Sequence, residues 1–140
     1  AGFMVGDKKV INQYLKLVSN GGSLVPTPLL SVAADLYEDE AHVADIRAYY
    51  HTNFALAERH LGVSPPQGGF FLWLKVDDDV QFAKRLMAEQ AVRALPGSFM
   101  GVETADGNPG AGYVRLALVH DAKITDEALM RIAKIYKSHA

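Results

Sequence analysis

From Ala41 to Leu61, apolar side chains return at Val43, Ile46, Tyr50, Phe54, Ala57 and Leu61, in steps of three and four that only an α-helix gathers on one face. Gly62 and Pro65-Pro66 end this run, because proline removes a backbone donor and biases the preceding residue towards extended conformations. The long helix therefore divides the chain into a helical part before it and a part of different composition after it. In the first part, Asp7 is placed to cap a helix with Val10, Ile11, Tyr14, Leu15 and Val18 on one side, and Asn20-Gly21-Gly22 is placed to end it. The stretch 19–25 reads as a loop, mobile or facing a partner. Thr27 and Pro28 read as the cap and first residue of a second helix, whose nearly all-apolar body, 29–37, predicts burial. Residues 1–6 read as a strand, and so abrupt an apolar opening suggests a piece of a longer polypeptide.

Beyond the prolines, 69–76 is aromatic-rich and strand-like, and Asp77-Asp78-Asp79 supplies the cap and acidic first turn of a helix through Phe82, Leu86 and Met87. A second strand is expected over 91–95, a turn at Pro96-Gly97-Ser98, an irregular loop over 104–112 and a third strand over 113–119. A last helix is expected to start at Thr125 and to end among Lys134, Lys137 and His139. The expected class is α/β: a small mixed β-sheet covered by helices, with the long helix leading into it.

Charge and composition remove several functions. With 14 basic and 16 acidic residues the formal charge is -2, so no cationic face for nucleic acid or anionic membrane is expected. The apolar stretches fall far short of the roughly 20 residues that span a bilayer. The chain has no cysteine, which excludes disulfides and thiolate chemistry and fits a reducing compartment, the cytoplasm by default. His42, His51, His60 and His120 are scattered, so no metal site and no acid-base cluster is expected. Asp77-Asp78-Asp79 lacks the glycine and terminal glutamate of a calcium loop, and capping is the simpler role. Gly107-Asn108-Pro109-Gly110-Ala111-Gly112 leads into a strand, where the helix dipole of a phosphate loop is missing, and reads as a turn-rich loop. Arg115 stands out. Alternation along the third strand puts it on the face opposite Val114, Leu116 and Leu118, and its guanidinium must meet an internal carboxylate, water or the carboxylate of a ligand.

Four segments, in order, resemble the class I/II, fold type I, PLP-dependent aminotransferases, and the likeness covers essentially the whole chain. Ala1-Gly2-Phe3-Met4-Val5-Gly6-Asp7 resembles the family strand that follows the cofactor-lysine motif. Gly68-Gly69-Phe70-Phe71-Leu72-Trp73 resembles its Gly-Gly-aromatic strand, and Leu95-Pro96-Gly97-Ser98-Phe99-Met100-Gly101 its Pro-Gly loop. Gly112-Tyr113-Val114-Arg115-Leu116-Ala117-Leu118 resembles the strand whose arginine binds the substrate α-carboxylate. The resemblance implies the C-terminal portion of such an enzyme: 1–40 the tail of the large domain and an interface loop, 41–61 the connecting helix, and 62–140 the small domain. It implies amino transfer between an amino acid and a 2-oxo acid, pyridoxal 5'-phosphate in the parent enzyme, and a homodimer. It also implies Arg115 as the substrate-binding residue, and Ser19, Asn20, Gly21 and Gly22 beside the partner's site. Lys8, Lys9, Lys16, Lys75, Lys84, Lys123, Lys134 and Lys137 do not match the cofactor-lysine motif, so no catalytic residue is expected in this chain. A narrower likeness, to the N-succinyldiaminopimelate aminotransferases of bacterial lysine biosynthesis, rests on Asp39-Glu40-Ala41-His42-Val43 and on the 107–112 loop followed by Val114-Arg115. The alternative is an aminotransferase-like ligand-sensing domain of a transcriptional regulator.

Overall fold

A strand becomes a sheet only where a neighbour takes up its backbone groups, and β3 (Tyr113–Ala117) is the strand that does so here. The computed structural model describes residues 2–22 and 24–137. Those residues form two compact units that divide at Ala44 and Asp45. The first unit holds α1 (Lys8–Gly21), α2 (Thr27–Glu38) and the start of α3 (Ala41–Leu61). The second holds the rest of α3, β1 (Phe71–Lys75), α4 (Asp79–Gln90), β2 (Leu95–Pro96), a short 3-10 turn (Gly97–Phe99), β3 and α5 (Ala122–Tyr136).

In the second unit the strand order is β1-β3-β2, and both pairings are antiparallel. The α/β class stands, but the sheet is antiparallel where a mixed one was expected. Strands β1 and β2, joined through α4, run parallel to each other; β3 inserts between them, so no parallel pair is hydrogen-bonded. β2 is a short stub at 95–96, where 91–95 was expected, because Ala91 takes a left-handed conformation (φ 52°) to close α4. Residues 2–6 form no strand. Phe3 meets the Tyr37 ring edge-on at 6.1 Å, but no described strand pairs with them, and an unpaired strand has no ladder to hold it.

The core lies on one face of the sheet. Leu72 and Leu74 of β1 and Val114 and Leu116 of β3 pack with Phe54, Ala57 and Leu61 of α3, Leu86 of α4, and Leu129, Ile132 and Ile135 of α5. Asn53 shares that apolar face of α3 and is 1% exposed; its Nδ2 donates to the carbonyls of Leu118 and His120, each at 2.9 Å, fixing the helix to the end of β3. Asp7 caps α1 as expected, accepting from Lys9 and Val10 N–H. Two other helix starts differ from expectation. The cap of α2 is Pro26 rather than Thr27, and that of α5 is Asp121, which accepts from Ile124 N–H at 2.9 Å. Thr125 sits inside α5, buried, and its hydroxyl donates to the His120 carbonyl at 3.0 Å. His139 lies outside the described residues.

The first unit departs further from expectation. α2 buries none of its residues: Leu36 and Tyr37 are 60% and 59% exposed, and Leu29, Leu30 and Val32 are exposed too. The apolar body expected to be internal therefore meets no core among the described residues. Ser19, Asn20 and Gly21, expected in a loop, form the last turn of α1. The Ser19 hydroxyl donates to the Leu15 carbonyl (2.7 Å) and the Asn20 amide to the Lys16 carbonyl (2.9 Å), so the helix itself satisfies both polar side chains. Gly22 is the left-handed C-cap, φ 67°; Ser23 lies outside the described residues.

Candidate functional site

With its core face covered, the sheet's other face presents Phe71, Trp73 and Lys75 from β1 beside Tyr113, Arg115 and Ala117 from β3. Arg115 stands directly across from Trp73 on one side and Leu95 on the other. Its side chain is half-buried, and its guanidinium carbon lies 4.2 Å from the centre of the Phe71 ring. No carboxylate of the described residues pairs with it. Of the three partners left open by the sequence, an internal carboxylate is not found among the described residues. None of the ion pairs or hydrogen bonds between described residues uses the Arg115 N–H donors, the fork that matches a carboxylate.

Two loops build the neighbouring wall, and they meet through glycine. A Cβ on Gly97 would lie 2.2 Å from the Gly110 carbonyl oxygen and 2.8 Å from that of Tyr113; one on Gly110 would lie 2.1 Å from the Gly97 oxygen. Asn108 ties the loops together, donating to the Ser98 carbonyl and accepting from Gly110 N–H, both at 2.9 Å. Trp73, Tyr113, Met100 and Pro109 then line an open cleft of about 500 Å³ with these glycines. The 107–112 loop is thus a packed turn, as its lead into a strand suggested.

Sequence reasoning missed Asp79. Asp78 is the N-cap of α4, accepting from Gln81 N–H at 2.9 Å, while Asp79 is buried and accepts from Ser98 N–H at 2.8 Å, holding the 97–101 turn against the helix. Burial pushes the Asp79 carboxyl up, but hydrogen bonds from the Ser98 side chain and backbone, and from the backbone of Asp79 and Gly112, outweigh it and leave its pKa below the usual value. A depressed folded pKa stabilises the fold above the unfolded value, about 3.9, and that contribution is lost as pH falls through the folded value. Asp79→Asn should therefore lower stability at pH 7 and flatten the acid side of a urea-unfolding series below about pH 4. An unchanged profile would remove Asp79 from this role.

Each described histidine has its own surroundings. His60 Nε2 lies 2.7 Å from Asp126, which Arg59 also contacts; the His60 bond leads, against desolvation, in holding the Asp126 pKa low. His42 pairs with Asp39 at 3.2 Å, and His51 and His120 are exposed. No cluster that could hold a metal occurs among the described residues, and none of their helices is long and apolar enough to cross a membrane.

Residues 1–132 match the family model for aminotransferase class I and II. The chain belongs to this family. Among solved structures, this aminotransferase chain is similar to an aminotransferase from Neisseria meningitidis Z2491, with 35% identity and a TM-score of 0.80 over 96% of this chain and 36% of that one. It is 28% identical to the LL-diaminopimelate aminotransferase of Natranaerobius thermophilus, over 96% of this chain and 36% of that protein. It also resembles a Thermus thermophilus structure described as a "probable N-succinyldiaminopimelate aminotransferase", with 29% identity and a TM-score of 0.57 over 71% of this chain and 27% of that one. The chain spans about a third of the length of the relatives it matches.

The aminotransferase family implies pyridoxal phosphate, and the described residues do not fit its attachment. A Schiff-base lysine needs an amine enclosed beside an anion cradle. All eight lysines here are exposed, on helices, at the end of β1 or just past α5.

Proposed function

We propose that the whole protein transfers an amino group between an amino acid and a 2-oxo acid, and that Arg115 in this chain anchors the substrate's α-carboxylate. One observation carries the reading: a half-buried guanidinium on the sheet's open face that no acidic residue of the described chain neutralises. Family membership supplies the reaction class. In such an enzyme, pyridoxal phosphate would supply the electron sink for amino transfer, held by residues other than those described here. What this chain does is bind and orient. A two-pronged hold on the α-carboxylate fixes the amino group and α-carbon in one direction, which lowers the entropy cost of reaching the reacting geometry.

The exposed apolar residues of α1 and α2 suit a tail of the large domain packed against the cofactor-holding part, with α3 as the connection and 62–140 as the small domain. The end of α1, from Ser19 to Gly22, then borders the partner's site in a homodimer. For the substrate we infer N-succinyldiaminopimelate with glutamate and 2-oxoglutarate, on the strength of the 107–112 loop leading into Arg115 and of the relatives named for diaminopimelate and its N-succinyl derivative. The complete enzyme, assayed with glutamate as donor, should convert the matching succinylated 2-oxo acid faster than oxaloacetate. The reverse order would overturn the substrate; no transfer between any amino acid and 2-oxo acid would overturn the reaction.

A further inference from the structure

We propose that Phe71 is a positioning residue for the Arg115 guanidinium, and that Phe70 and Tyr50 behind it refer that position to α3. The proposal rests on the reading of Arg115 as a carboxylate anchor and adds what aims it. Arginine has many rotamers, and a half-buried one without an ion pair would sample several of them. Here the guanidinium lies over the Phe71 ring at 4.2 Å, where the negative face of the ring attracts it. A ring contact takes up no hydrogen-bond acceptor, and no described residue accepts from the Arg115 N–H groups. Phe71 therefore restrains the side chain without using a donor that a carboxylate would need. An aspartate partner would hold it equally well but would compete with the ligand.

Phe71 is itself braced. Its ring centre is 4.3 Å from that of Phe70, and Phe70 stacks on Tyr50 of α3 at 5.5 Å with 30° between the planes. Tyr50 meets Tyr49 edge-on, and the Tyr49 hydroxyl donates to the Val119 carbonyl at 3.2 Å. One turn on, Asn53 fixes the same helix to the end of β3. The aromatic row therefore runs from a helix clamped at both the sheet end and the ring stack to the guanidinium that no acid of the described residues neutralises.

The test uses the arginine Nε–H and Cδ–H signals in NMR spectra of this protein, read first alone and then during titration with sodium propanoate. Arg115 signals should lie upfield of those of the other arginines, shifted by the ring current, and should move saturably with propanoate. Phe71→Leu, which keeps apolar bulk without the ring, should abolish the upfield shift and weaken propanoate about fivefold. Phe71→Tyr should keep both, and Tyr50→Leu should reduce the shift in part. Wild-type Arg115 signals without a ring shift would overturn the proposal by themselves, even if Phe71→Leu proved unable to fold. Unchanged propanoate affinity in a folded Phe71→Leu variant would overturn it as well. If propanoate leaves the Arg115 signals unmoved in the wild type, the carboxylate reading fails while the ligand-free ring shift still decides the stacking.

Discussion

Arg115→Ala, made in the complete aminotransferase, should lower kcat/KM for the amino acid substrate by about a hundredfold or more while the cofactor remains attached. The magnitude follows from what is removed. A bidentate guanidinium-carboxylate contact is two charge-assisted hydrogen bonds, each worth about 1.5–3 kcal/mol, and every 1.4 kcal/mol is about tenfold. Both KM and kcat should suffer, because the same contact binds the substrate and orients its reacting bond. Arg115→Lys should recover only part of the loss, since an ammonium supplies charge without the planar fork. Steady-state kinetics, with the cofactor absorbance as a check on loading, decide the matter.

The second large effect is on stability. Gly97→Ala would place a methyl group 2.2 Å from the Gly110 carbonyl oxygen and 2.8 Å from that of Tyr113, both backbone atoms of the loop and strand that wall the cleft. Neither can rotate away, so the turn or the start of β3 has to move, at a cost of about 3 kcal/mol. Moving the start of β3 also disturbs the strand that carries Arg115. Urea denaturation should show a clear fall in midpoint for Gly97→Ala. Gly68→Ala, where a Cβ would meet nothing within 4 Å, should stay within about 0.5 kcal/mol of the parent. Equal midpoints for the two variants would mean that the glycine contact between the loops is not a tight one.

The legible parts of this fold were those written in periodicity and in strong breakers. The three-and-four spacing from Val43 to Leu61 and the glycine and prolines after it gave α3 its bounds, and alternation along 113–117 put Arg115 on the open face. What failed depended on neighbours distant in sequence. Residues 2–6 have strand-like composition without a pairing strand, and α2 has a core-like composition but buries none of its residues, among the described residues. The parallel pair implied by β1, α4 and β2 was lost to a strand that arrives only at Tyr113.

At the site, the cation was readable and its setting was not. Phe71 sits two residues before Trp73, so register alone could have put it diagonal to Arg115, but no local pattern says that the guanidinium leans that way. Asp79 does supply the acidic first turn of α4, but nothing near it in sequence shows that its carboxylate also takes the Ser98 N–H. Asn53 did leave a signal: a polar residue at a core position of α3, three residues after Tyr50 and four before Ala57, which should have raised the question of which backbone groups it satisfies.

The sharpest measurement is a comparison of two substrates in two enzymes: kcat/KM for an amino acid and for the amine that lacks only its α-carboxylate, in the complete wild-type protein and in Arg115→Ala. A carboxylate anchor predicts a wild-type preference for the amino acid that collapses in the variant, through loss on the amino acid with little change on the amine. If the variant slows both substrates by the same factor, Arg115 does not hold the carboxylate, and the role assigned to it here is wrong.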